Sequence, residues 1–162
     1  MNEHPITYQP IGFIETPFNN LHDMPIQPCG ASHVKGKLIV KPEFVAGLMD
    51  LDGFSHIYVI YHFHHARDYD LLLTPFMDSN PHGVFATRAP KRPNPIGISI
   101  LRLLSIDENI LLLENVDMLN GTPILDIKPY IPAFDHYEVN REGWLTGRDD
   151  DIKTMRSDER FV

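Results

Sequence analysis

The chain has 162 residues, enough for one domain of ordinary size, and 43% of them are hydrophobic, so a core can form without a metal or a disulfide. Its single cysteine, Cys29, excludes an internal disulfide, no charged start followed by an apolar run marks a signal peptide, and no apolar stretch has the length of a membrane helix; the expectation is a soluble, cytoplasmic protein. A formal net charge of −8 argues against a surface that tracks a phosphate backbone over its whole extent, and leaves room for a local basic pocket.

Residues 1–10 read as a polar leader. "IGFIETPF" then predicts a first strand stopped at Pro17, and "NNLHDMPIQPCGAS" (residues 19–32), with two prolines, a glycine and no periodicity, predicts a long loop of the kind that often carries function. "KGKLIV" is a short strand. "PEFVAGLMDLDGF" predicts a helix, with Pro42 at its first position, Phe44, Leu48 and Leu51 on one face and Gly53 as its stop. "FSHIYVIYHFHHA", rich in β-branched and aromatic residues, predicts a strand, as does "GVFATR" after a connector. Three more strands follow, "ISILRLL", "NILLLENV" and "ILDIKPYI", the first two joined by a hairpin turn at "SIDE". The acidic stretch "GRDDDIKTMRSDERFV" belongs to a tail, residues 141–162, that is either solvated or caps the domain. Short strands at close spacing with one or two short helices predict an all-β, barrel-like fold. No GxGxxG follows a strand and no βαβ alternation is visible, which disfavours a Rossmann-type enzyme.

Three features carry candidate chemistry. In "YHFHHA" a strand projects His62 and His64 to one face and His65 to the other; with His56, His82 or His136 they are candidate zinc or iron ligands, but no HExxH and no cysteine pair support a metal. Packing, or contact with an organic ligand, is the preferred reading. The stretch "ATRAPKRPNPIG" (residues 86–97) crowds Arg88, Lys91 and Arg92 among Pro90, Pro93 and Pro95. The prolines restrict the residues before them and remove three N–H donors, which leaves a stiff, basic edge that is set before any ligand arrives. A stiff loop that only blunts a sheet edge explains the prolines and leaves the cations and Asn94 without a purpose. In "NGTPILDIKPY", Asn120-Gly121 predicts a tight turn, and Asp126, Lys128 and Tyr130 alternate onto one face together with Ile124.

"IGFIETPF", "GFSHIYVIYHFH", "GVFATRAPKRPNPIGIS" and "VDMLNGTPILDIKPYIP" together resemble the TsaA-like domain of the TrmO tRNA methyltransferase family, over about residues 11–132. The resemblance implies a TsaA-like barrel over residues 11–140 that binds S-adenosylmethionine (SAM) without a Rossmann fold, assembly as a homodimer, and methylation of N6 of threonylcarbamoyladenosine beside the tRNA anticodon, with no metal and no membrane. Carried over by motif, SAM contacts fall on Gln27, Pro28, Cys29, Gly30, His64, His65, Arg88 and Ile98, and on the turn Asn120, Gly121, Thr122, Pro123. The family's turn usually begins with Asp where this chain has Asn120, which removes a negative charge and implies weaker SAM binding. Within that reading Asn94 accepts from the adenine N–H, Asp126 or Tyr130 takes the proton, and Lys91, Arg92 and Lys128 meet the threonyl carboxylate or phosphates. Three rivals stand beside it: a small-molecule methyltransferase of the same fold, a non-catalytic SAM sensor, and a histidine-rich metal hydrolase.

Overall fold

Period-two alternation of buried and exposed residues sets the architecture. The computed structural model describes residues 4–22 and 24–158, in which six strands close into an antiparallel barrel: β1 (Gly12–Glu15), β2 (Lys35–Val40), β3 (His56–His62), β6 (Ile96–Asp107), β7 (Ile110–Glu114) and β8 (Pro123–Pro129), in spatial order β1-β2-β7-β6-β3-β8. Two further strands, β4 (Leu72–Leu73) and β5 (His82–Gly83), pair only with each other. Closure leaves the barrel strands no open edge. Inward side chains such as Ile57, Val59, Leu101, Leu111, Leu113, Leu38 and Ile14 fill the interior, each worth about 1.5–3 kcal/mol of transfer free energy. A smaller cluster of Leu73, Val84 and Ala89, with Phe76 against it, lies under the proline-rich stretch.

Four local expectations are corrected. The segment 42–53 is not an α-helix but two 3-10 turns, Pro42–Leu48 and Leu51–Gly53, separated by Asp50 in the left-handed region at φ 65°. Gly47 in mid-segment and the shortness of the stretch disfavour helix nucleation, although Leu48 and Leu51 still pack on the barrel core. "GVFATR" is a strand only at its first residue, in β5; Val84–Ala86 form a 3-10 turn that Thr87 closes, its Oγ1 donating to Val84 O at 2.9 Å. The β6–β7 turn lies at Glu108-Asn109 rather than "SIDE", since β6 runs on to Asp107, which pairs with Ile110. Finally, a register shift on β8 sets Asp126 opposite Ile60 but Ile124 opposite Tyr61. This bulge at Leu125 turns Ile124 into the core, so it does not share a face with Asp126 and Lys128.

Beyond β8 come two short helices, α1 (Pro132–Asp135) and α2 (Asp149–Thr154). Of the two readings of the tail, its described part follows the capping one. Ser157 N donates to Met24 O at 2.8 Å, Ser157 Oγ donates to Leu21 O, and Met24 N donates to Ser157 Oγ at 3.1 Å. Pro25 forms a β-bridge with Arg156. Among the described residues no helix is long and apolar enough to cross a membrane.

Candidate active site

β3 and β6 are antiparallel neighbours with His62 opposite Ile96, so the chain leaving β3 and the proline-rich stretch entering β6 emerge at the same end of the barrel. There they enclose a cleft of about 870 Å³, walled by residues of the 21–29 loop, by 63–66, 75–77 and 85–90 with Arg92, by 117–119 with Thr122, and by Trp144, Leu145, Ser157 and Asp158. The outward side chains Ile96, Ile98 and Ile100 of β6 form an apolar wall. Gly97, facing inward between them, lies beneath the ring of Tyr61, and a Cβ at this position would overlap that ring. Tyr61 is nearly buried, yet it reaches the cleft at the barrel mouth.

The proline-rich stretch is braced from within. Arg92 Nη1 donates to Thr87 O at 3.1 Å and to Ala89 O at 3.3 Å, and Trp144 Nε1 donates to Ala86 O at 2.8 Å. Ala89 is anchored in the small apolar cluster. Phe63 N donates to Pro95 O at 2.8 Å, which ties the end of the proline-rich stretch to the chain leaving β3. The indole of Trp144 also stacks on His82 with ring centres 4.8 Å apart. Asp78 accepts from His82 at 3.0 Å and lies 3.7 Å from Arg148.

Groups of both charges line the cleft. Arg88 Nη1 donates to Gln27 Oε1 at 2.9 Å, and the rings of His64 and His65 lie 4.4 Å apart. Desolvation and the neighbouring imidazoles hold His64 below the ordinary histidine range, so it is mostly neutral near pH 7. Asp117 is buried, and Ser99 Oγ donates to its Oδ1 at 2.8 Å. Burial pushes the Asp117 carboxyl up to about 7, against the opposing pull of the Ser99 hydrogen bond and the Arg88 charge. Burial and the Asp117 charge together hold the Tyr61 hydroxyl above its usual range, so it is a neutral donor or acceptor.

Residues 13–136 match the family model of the tRNA-methyltransferase O N-terminal domain. The chain belongs to this TrmO family. It is 52% identical over 156 residues to a probable S-adenosyl-L-methionine-binding protein of Pyrococcus abyssi, covering 96% of this chain and 85% of that one. It is 36% identical to the mouse tRNA (adenine(37)-N6)-methyltransferase, over 86% of this chain but only 36% of the mouse protein. A crystal structure of TrmO from Pseudomonas aeruginosa superposes with a TM-score of 0.75 at 36% identity, over 89% of this chain and 63% of that chain. The TsaA-like barrel expected from the sequence is therefore the fold.

Against that TrmO framework the expected site residues divide into four groups. Gln27, Pro28, Cys29, His64, His65, Arg88, Ile98 and Thr122, and also Arg92, line the cleft. Gly30, Asn120, Gly121 and Pro123 adjoin it without lining it. The Asn120 amide faces the 16–19 segment instead: its Oδ1 accepts from Thr16 N at 3.1 Å and its Nδ2 donates to Asn19 Oδ1 at 3.0 Å. A carboxylate at this position would have no N–H for Asn19, and the Asn120 side chain is spent on this turn and does not line the cleft. Lys91, half-buried, and Asn94, exposed, belong to the proline-rich stretch but not to the lining of the cleft.

Asp126, Lys128 and Tyr130 are not brought to the cleft at all. Asp126 and Lys128 form an exposed ion pair at 2.7 Å on the outside of β8, and Tyr130 packs against Tyr58 with ring centres 5.7 Å apart. The proposed histidine grouping is not assembled either. His82 is held by Asp78, His56 Nδ1 lies 2.9 Å from Ser55 Oγ, and no group of three or more potential ligands gathers among the described residues. Sequence reasoning missed Asp117, Tyr61 and Trp144. The signal for Asp117 was present in "VDML", an acid inside a run of core residues, because such an acid is buried only with a reason.

Proposed function

We propose that the chain binds SAM in this cleft and transfers its methyl group to N6 of threonylcarbamoyladenosine in tRNA. One observation carries the reading: Gln27 to Cys29, His64 and His65, Arg88, Ile98 and Thr122, far apart in sequence and matched by motif to the family's SAM contacts, line a single cleft. Its volume of about 870 Å³ lies within the range of small-molecule sites, roughly 300–1,000 Å³. The donor set suits the cofactor: an isoleucine wall for an aromatic base, a guanidinium for a carboxylate, and a buried carboxylate for positive charge.

Bound SAM supplies an electrophilic methyl group on a good leaving group, so the protein's work is alignment, which can be worth roughly 7–11 kcal/mol. Arg88, steadied by Gln27, presents a planar fork to the amino-acid carboxylate. The braced proline-rich stretch holds the opening to one shape, and its rigidity lowers the ordering cost of binding. Lys91 and Asn94, which belong to that stretch but do not line the cleft, are assigned to the incoming nucleoside, Asn94 as acceptor for an adenine N–H. Arg92 shapes the stretch and adds positive charge. A part for Asp126, Lys128 or Tyr130 requires the RNA or a second copy of the chain to cross the outside of β8. Pairing of two copies is supported by the exposed Ile96, Ile98 and Ile100 beside the cleft; sedimentation at the mass of a monomer would oppose it.

The test is incubation with SAM and tRNA carrying threonylcarbamoyladenosine, followed by digestion and mass measurement of the nucleosides. A gain of one methyl that depends on SAM is the expected result. No gain, with SAM binding demonstrated in the same sample, overturns the tRNA reading. The net charge of −8 favours one alternative, methylation of a small molecule. Ionic strength separates the two, because turnover on tRNA falls steeply with added salt and turnover on a small molecule does not.

A further inference from the structure

Asp117 has a feature that the fold does not explain. It lies between Val116 and Met118, both in the core, and is about nine-tenths buried, yet it borders the cleft. A carboxylate taken out of water is costly unless a cation or several donors compensate it. Ser99 Oγ donates one hydrogen bond to it, its own backbone N–H supplies another, and the Tyr61 hydroxyl lies 3.4 Å from Ser99 Oγ. Among the ion pairs of the described residues none involves Asp117. Arg88 acts on it electrostatically without pairing with it, while its guanidinium donates to Gln27. A neutral side chain of similar shape would satisfy Ser99 equally well. The missing counter-charge has one open approach, from the cleft.

We propose that Asp117 is the anionic contact for a positively charged group of the bound cofactor. This rests on the reading of the cleft as a SAM site and adds to it a residue outside the motif-matched contacts. SAM offers two such groups, the sulfonium and the α-ammonium. The titratable and charged groups that line the cleft with Asp117 are Tyr61 from β3, Arg88 and Arg92 from the proline-rich stretch, His64 and His65 beyond β3, Cys29 from the 21–29 loop, and Asp158. Tyr61 stays neutral and His64 is held below the ordinary histidine range, whereas the Asp117 carboxyl, pushed up to about 7, gains its charge as pH rises through that value.

The experiment is calorimetric titration of the full chain and of Asp117→Asn with four probes: SAM, sinefungin (an ammonium in place of the methylsulfonium), S-adenosylhomocysteine (α-ammonium only) and 5′-methylthioadenosine (neither positive group). Loss of the carboxylate is expected to weaken SAM and sinefungin at least about tenfold and to leave 5′-methylthioadenosine within about threefold. S-adenosylhomocysteine identifies the group: a parallel loss assigns the α-ammonium, and no loss assigns the sulfonium. Wild-type affinity for SAM is expected to rise with pH through the Asp117 titration while that for 5′-methylthioadenosine stays level. Ser99→Ala keeps the charge and removes the hydrogen bond that lowers the carboxyl pKa, so it shifts that rise to higher pH and covers the case of an Asp117 variant that folds poorly. Equal weakening of all four probes, or of none, overturns the inference with the SAM site intact. A wild-type chain that binds none of the four overturns the SAM reading itself.

Discussion

β6 and β8 both flank β3, and their outward faces have opposite fates. The outward residues of β6 at the cleft end, Ile96, Ile98 and Ile100, are apolar and form a wall, with the proline-rich stretch folded over the same end. Those of β8 are polar, and Asp126 and Lys128 satisfy one another in the open. Both strands carry motif residues, but the β6 motif meets the cleft with the strand itself, whereas the β8 motif reaches it only through Asp117 to Thr122, ahead of the strand. A charged ladder in the open can be retained for solubility or for a partner; an exposed isoleucine row gains only when something covers it.

The largest effect that breaks this contrast is steric. Gly97→Val drives a branched side chain into the Tyr61 ring and is expected to destabilise the chain by about 3 kcal/mol or more, read as a lowered thermal midpoint, and to abolish SAM binding. Next, Ile98→Asp places a charge in the apolar wall without touching the core. Its SAM affinity should fall about tenfold or more in a titration, with the thermal midpoint nearly unchanged. On the β8 side Lys128→Ala removes an exposed pair and should cost no more than about 1 kcal/mol by chemical denaturation, with SAM affinity unaltered. A tenfold loss of SAM affinity in Lys128→Ala would erase the distinction between the strands.

The smallest effect concerns the capping segment. The His82 hydrogen bond, then the backbone amides of Asn80 and Ser79 and the charge of Arg148, hold the Asp78 carboxyl at about 2. Because this value is depressed in the folded state, its stabilising contribution is complete above the ordinary carboxylate value of 3.8 and is lost as pH falls through about 2. The difference in thermal midpoint between wild type and Asp78→Asn should therefore be present at pH 5 and shrink steadily toward pH 2.

Much of the barrel was legible because strand alternation is a local signal: "HIYVIYH" and "KGKLIV" became β3 and β2, although β3 stops at His62, so His64 and His65 do not take the opposite faces of a strand but lie together at the cleft. Segment 42–53 misled for the opposite reason. Its i, i+4, i+7 apolar spacing fits two successive 3-10 turns whose orientation Asp50 resets, and spacing alone does not reveal a positive φ. The Leu125 bulge was equally invisible, because one extra residue on β8 reverses which side chains face inward without altering composition. At the cleft, the family motifs led to Gln27, His64, Arg88 and Ile98. Asp117 and Trp144 required the fold, since their importance comes from neighbours 18 and 58 positions away in the chain, Ser99 and Ala86.

Trp144 is the only tryptophan in the chain. Its indole borders the cleft, is stacked on a histidine and is tied by its N–H to the first residue of the proline-rich stretch. Every photon emitted under selective excitation at the red edge thus comes from one known place. The molecule carries its own optical probe at the cleft, and quenching by the stacked imidazole makes that probe report whether the stack persists when the cleft is filled.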